Sequence, residues 1–113
     1  MIVNRSTAAH YKWGLDCDGW VLSADETLSV IEERMPPATA EQRHFHVRAR
    51  QFFYVIEGSF TMELDGVVHR LEPGTGIEIP PGVPHQARND SIADVRFLVT
   101  STPTTRGDRV DLA

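Results

Sequence analysis

An all-β chain, folded as a single antiparallel β-barrel with two facing sheets, is the fold class this sequence predicts. Three observations carry it. Turn signals recur at short intervals: Asp18-Gly19, Pro36-Pro37, Glu57-Gly58, Asp65-Gly66, Pro73-Gly74, Pro81-Gly82 and Asn89-Asp90. Between them lie short runs rich in β-branched and aromatic residues, the side chains that fit a pleated, half-buried surface. No segment has a convincing helical apolar period, internal repeat or low-complexity linker, so the 113 residues read as one domain.

The elements follow in order. Gly19 to Ser23 and Leu28 to Met35 read as the first strands. Gln42 to Val47 is the next, then Phe52 to Glu57 and Ser59 to Asp65. Asp65-Gly66 is a strong hairpin signal, because a type I′ turn needs positive φ at both central positions. Val67 to Leu71 returns from it. Gly76 to Ile79 and His85 to Ala87 lead into Asp94 to Thr100. Met1 to Ala9 and Thr102 to Ala113 read as polar ends, either docked on a partner subunit or loose. If Gln51 points inward, so do Phe53 and Val55, while Phe52, Tyr54 and Ile56 point outward. Both faces of that strand are apolar. The outward one is expected to meet a second copy of the chain or to take part in ordinary sandwich packing. A homodimer is the expectation.

Composition excludes several functions. A net charge of -5 argues against a nucleic-acid partner, which calls for basic patches. No run approaches the roughly 18 apolar residues of a membrane span. Met1 to Ser6 lacks the apolar core of a signal peptide. The one cysteine, Cys17, cannot form an intrachain disulfide, which fits a reducing cytoplasm.

The chemistry concentrates in histidine. There are five in the chain, and three fall in one arrangement. His44 and His46, at i and i+2 on a strand, project to the same face. Gln51 follows, and His85 closes Pro80-Pro81-Gly82-Val83-Pro84-His85. Imidazole is the commonest protein ligand for transition metals. Three imidazoles and an amide oxygen would leave one or two positions open for a small molecule.

The spacing around these residues is specific. From His44 the chain reads His44-x-His46, four residues, Gln51, six residues, Gly58. From Gly74 it reads five residues, Pro80-x-Gly82, two residues, His85, three residues, Asn89. This resembles the two motifs of the cupin superfamily, in particular small single-domain bacterial-type cupins with an RmlC-like jelly roll. Gln51 stands where those motifs usually carry glutamate. The glycine that usually precedes the first motif is absent, its stretch being Pro37-Ala38-Thr39-Ala40. The resemblance implies one jelly-roll domain over 1–113, with the motifs within 38–89 and polar arms at 1–9 and 102–113.

The implied cofactor is one divalent transition ion, with Zn, Ni, Fe, Mn and Cu all open. His44, His46, His85 and Gln51 are the candidate ligands. Three arrangements stay open: ligation by Gln51, a three-histidine site with Gln51 packed beside it, or a decayed site without metal. A neutral amide in place of a carboxylate leaves the ion its full charge, which favours anionic ligands. Gly58, Gly74 and Gly82 are expected to serve turns, and Asn89 to bond backbone groups in the next turn.

The remaining candidates rank lower. His69 reads as exposed or sheet-pairing, His10 as packing and Cys17 as a small buried hydrophobe. Trp13 and Trp20 read as core. Arg48 and Arg50 read as a solvated loop, although an arginine at a cavity mouth could bind a carboxylate. Glu63 and Glu78 are expected on solvent faces, which leaves no clear general base. The function expected is a small metalloenzyme for an anionic or enolisable small molecule, with dioxygenase-, lyase- or isomerase-like chemistry. The alternative is a non-catalytic sensor or carrier with the same pocket.

Overall fold

The computed structural model describes residues 1–113 and contains strands and turns with no helix. The first five strands are β1 (Ala9–Trp13), β2 (Cys17–Ala24), β3 (Ser29–Met35), β4 (Thr39–Ala40) and β5 (His44–His46). Then come β6 (Arg50–Glu57), β7 (Phe60–Leu64), β8 (Val67–Leu71) and β9 (Gly76–Ile79). The last three are β10 (His85–Asn89), β11 (Val95–Thr102) and β12 (Arg109–Asp111). One antiparallel sheet runs β1-β2-β3-β11-β6-β9. The other runs β12-β5-β10-β7-β8, with β4 also paired to β10. No hydrogen-bond ladder joins the two, so they face each other as a jelly roll and do not close into one continuous barrel.

Strand alternation builds the core between the sheets. On β6, Gln51, Phe53 and Val55 are buried, while Phe52, Tyr54 and Ile56 are exposed, as the sequence parity requires. Phe53, Val55, Val95, Phe97 and Met35 from one sheet meet Phe60, Met62, Leu71 and Ala87 from the other. The Phe60 and Phe97 rings lie 4.5 Å apart between centroids. The Asp65-Gly66 hairpin forms as expected, with φ of 50° and 87°. Gly58 adopts φ of 84°, and a Cβ there would lie 2.3 Å from the Asp94 carbonyl oxygen, so no side chain fits that turn.

Part of the expected C-terminal arm is a strand, and another strand begins where the expected N-terminal arm ends. Ala9–Trp13 forms β1 and pairs with β2. Arg109–Asp111 forms β12 and pairs with β5, placing Arg109 opposite His46 and Asp111 opposite His44. Part of the C-terminal segment is therefore stitched to this chain's own sheet, while residues 1–8 precede the first strand. The reason is backbone pairing: each segment satisfies an edge strand without needing an apolar run.

Polar groups fix the joints between strands. Asp18 is buried and meets Arg34 Nε at 2.6 Å, His10 Nε2 at 2.7 Å and Lys12 Nζ at 3.0 Å. Burial alone would raise its pKa, but those partners hold its carboxyl well below the usual range. His10, expected to pack, does lie against Trp20 with centroids 5.3 Å apart, and it also ties Asp18. Trp13 packs against the core. Buried Asp108 accepts the backbone N–H groups of Arg48 at 3.0 Å and Ala49 at 2.8 Å, clamping the turn between β5 and β6. Asn89 is fully buried and donates to the Met35 and Ala93 carbonyls, both at 2.8 Å, the backbone role its motif position implies.

Glu63 departs from its expected solvent face. It is buried on β7, accepting from Arg43 Nε at 2.6 Å and from the Gly66 N–H at 2.8 Å. The ion pair and the turn contact satisfy a carboxylate that alternation alone had placed outside. Glu78 is exposed, as expected.

Candidate metal centre

Register brings the histidines together. β5 runs antiparallel to β10, and His44 pairs directly with His85. His46 lies two residues along β5 and projects to the same side. One nitrogen from each of the three rings lies within 4.8 Å of the other two. Ring centroids are 4.5 Å apart for His44 and His85, 4.9 Å for His44 and His46, and 5.9 Å for His46 and His85. All three side chains are buried, His85 completely.

Hydrogen bonds orient two of the rings. His44 Nδ1 lies 2.7 Å from the Gln42 carbonyl, and His85 Nδ1 lies 3.0 Å from the Val83 carbonyl. A carbonyl only accepts, so each Nδ1 carries the proton and each Nε2 keeps its lone pair. His85 Nε2 is buried with no hydrogen-bond partner, and so is His46 Nδ1. Burial pushes the His44 and His46 pKa values down to about 4 and lowers that of His85. The rings are therefore neutral at pH 7, the form a metal requires.

Gln51 enters from β6 in the opposite sheet. Its Nε2 donates to Ser101 Oγ at 3.1 Å. That bond leaves Oε1 buried and without a partner. A buried amide oxygen and a buried imidazole nitrogen left unpaired are costly unless a hydrogen-bond donor or a metal ion meets their lone pairs. These donors fit a divalent transition ion: neutral nitrogen and oxygen atoms with free lone pairs.

His44, His46 and Gln51 line a cavity of about 190 Å³, together with Tyr11, Ile31, Phe53 and Val99. That is smaller than the roughly 300–1,000 Å³ of pockets for drug-sized ligands, so it suits a small molecule. His85 is not among the residues that line it. Two open surface hollows near Asp25, Glu26, Thr104 and Arg106 contain no histidine and almost no apolar side chain.

Three charged cavity residues escaped the sequence reading. Glu33 on β3 and Glu41 between β4 and β5 both line the cavity, as does Arg109 on β12. Burial pushes Glu33 up to about 7 and Glu41 up to about 8. Glu41 accepts the Ala87 N–H at 3.0 Å and lies 3.9 Å from His44 Nδ1. Two carboxylates thus line the cavity, where the sequence had offered no clear general base. Motif spacing pointed only to position 51. The signal that could have found Glu33 is the alternation Ile31, Glu33, Met35, which puts it on an inward face. An arginine does stand at the cavity, but it is Arg109. Arg48 and Arg50 are exposed, Arg48 in the turn as expected and Arg50 as the first residue of β6 instead of in a loop. His69 is exposed on β8, Cys17 is buried in the core, and Tyr54 faces outward.

Comparison with known proteins agrees with this geometry. The profile of the family described as "Cupin domain" matches residues 31–101, which include all four candidate ligands. Protein SchB of Streptomyces halstedii is 36% identical over 62 residues, covering 55% of this chain and 45% of that protein. Polyketide synthase CurC of Streptomyces cyaneus is 30% identical over 69 residues, covering 61% of this chain and 45% of that protein. The aligned regions thus span about half the length of these relatives. The crystal structure of an RmlC-like cupin from Shewanella frigidimarina superposes with a TM-score of 0.82 at 24% identity, covering 90% of this chain and 89% of that one.

Proposed function

The chain belongs to the cupin domain family, and from that premise we propose a metal-dependent enzyme for a small anionic or enolisable molecule. His44, His46 and His85 would hold one divalent transition ion, with Gln51 as the fourth ligand. The observation that carries this is the pair of orphaned buried acceptors, His85 Nε2 and Gln51 Oε1, beside a cavity. When bound, the ion supplies a Lewis acid that polarises a substrate oxygen.

The chain's own residues do the rest. Gln42 and Val83 carbonyls fix the rings of His44 and His85. Ser101 turns the Gln51 amide so that its oxygen is the free end. Ile31, Phe53 and Val99 keep that part of the cavity apolar, which strengthens polar contacts inside it. Arg109 offers a cation to an anionic substrate. The polyketide association in the name of CurC supports an enolisable substrate, since polyketides carry repeated carbonyl groups. A sensor or carrier with the same pocket is the competing outcome, and it would bind without turnover.

Gln51→Glu tests the electrostatics. Ser101 can donate its hydroxyl proton to the new carboxylate, so folding and metal content should be unchanged. The added negative charge should weaken binding of a small carboxylate such as oxalate several-fold, measured by calorimetry on the metal-loaded protein. Unchanged affinity would show that Gln51 does not act at the metal.

We extend the proposal to a homodimer in a reducing cytoplasm. Phe52, Tyr54 and Ile56 form an exposed apolar row on the outer face of β6, a surface that a second copy would cover. Light scattering at micromolar concentration should give about twice the chain mass. A monomeric mass would remove this part. The buried, unpaired Cys17 fits the compartment.

A further inference from the structure

Resting on the metal-binding reading above, we propose that Glu33 is the acid–base residue of the cavity and that the substrates are small carboxylates with a C–H bond next to a carbonyl. Glu33 projects from β3, while His44 and His46 project from β5 in the opposite sheet, and all three line the same cavity. A substrate there would lie between the histidine cluster and this carboxyl group.

What distinguishes Glu33 is the lack of a structural partner. Glu32 on the same strand is paired with Arg96 at 2.9 Å, Glu63 with Arg43 at 2.6 Å, and Asp108 with backbone N–H groups. Glu41 is held by the Ala87 N–H. Glu33 makes no ion pair. Its one side-chain hydrogen bond comes from the Tyr11 hydroxyl at 3.4 Å, a long contact. A cavity carboxyl group without a fixed partner is free to exchange a proton with a ligand.

The surroundings suit that task. Tyr11 from β1, Cys17 from β2, Glu41, His44 and His46 from the segment around β5, and Arg109 from β12 are the titratable and charged groups near it. Burial raises the Glu33 pKa to about 7, while the Tyr11 contact and the Arg109 charge pull it down. A base whose pKa matches the working pH both takes and returns protons well. Burial and the Glu33 charge raise the Tyr11 pKa, so its hydroxyl stays a donor.

The step balances without an oxidant. The Glu33 carboxylate takes the proton on the carbon next to the carbonyl. The C–H electron pair becomes the C=C bond of an enolate as the carbonyl π pair moves to oxygen. Glu33, now protonated, returns the proton to the same carbon or to another atom of the substrate. Arg109 holds the substrate carboxylate.

The test is solvent deuterium exchange into pyruvate, 2-oxobutyrate and levulinate, followed by proton NMR with the metal-loaded protein. Wild type should accelerate exchange for at least one probe. Glu33→Gln should lower that rate about 100-fold or more, with metal per chain unchanged. The wild-type rate should rise with pH in step with the Glu33 carboxyl titration, both read on the zinc-loaded protein, the titration by carbon-13 NMR. This second readout stands even if the variant folds poorly. The proposal is overturned by wild type that accelerates no probe, by a fully active Glu33→Gln, or by a rate profile out of step with the titration. Wild type without bound metal would defeat the underlying reading and this proposal with it. A metal-loaded, fully active Glu33→Gln would defeat this proposal alone.

Discussion

Alanine at position 85 is expected to remove stoichiometric metal while both sheets survive. His85 is fully buried, its Nδ1 is committed to the Val83 carbonyl, and its Nε2 has no protein partner. The free nitrogen makes no hydrogen bond that holds the fold, and a metal ligand is the role proposed for it. Loss of an outer hydrogen bond to a ligand typically costs roughly 10–100-fold in metal affinity, and loss of a ligand should cost more. Metal per chain, measured by elemental analysis, should fall from about one ion to near zero. His44→Ala should behave alike. His69→Ala, on exposed β8, should keep its metal and serves as the control. Equal metal in wild type and His85→Ala would show that the cluster is only a packed group of rings.

Phe97→Ala should produce the largest loss of stability. The ring is fully buried and packs 4.5 Å from Phe60 and 5.8 Å from Phe53, so it joins residues from both sheets. Truncating a buried phenylalanine removes its transfer free energy and leaves a cavity, together about 3–5 kcal/mol. Denaturant unfolding followed by circular dichroism should report that loss. Phe52→Ala, one strand away but facing outward, should cost far less in the monomeric state. A change below about 1 kcal/mol for Phe97→Ala would contradict a core centred on this ring.

Legibility in the sequence followed the physics of each element. The two-residue period of Gln51, Phe53 and Val55 survives because one face meets the core and the other does not. His44 and His46 were readable for the same reason, and Asp65-Gly66 because few residue pairs tolerate two positive φ values. β1 was missed because its residues are almost all exposed and it joins the sheet through backbone pairing. β12 has only three residues, all exposed. Glu63 was placed outside because its partner Arg43 lies 20 residues away in sequence. Glu33 was hidden by neighbours: Val30 and Ile31 are both apolar, so either parity of β3 was admissible.

The strand order has a consequence for timing. β11, which ends at Thr102, lies between β3 and β6 at the centre of its sheet. During synthesis, β3 can pair with β2 and β6 with β9, but nothing joins these two halves of the sheet until β11 has left the ribosome. The two halves of the cavity, Glu33 on one and Gln51 on the other, cannot take their places before then. His44 and His46 likewise precede their partner strand β10 by some forty residues. At roughly 5–20 residues per second, the nascent histidines spend seconds uncollected, and metal capture belongs to the finished fold.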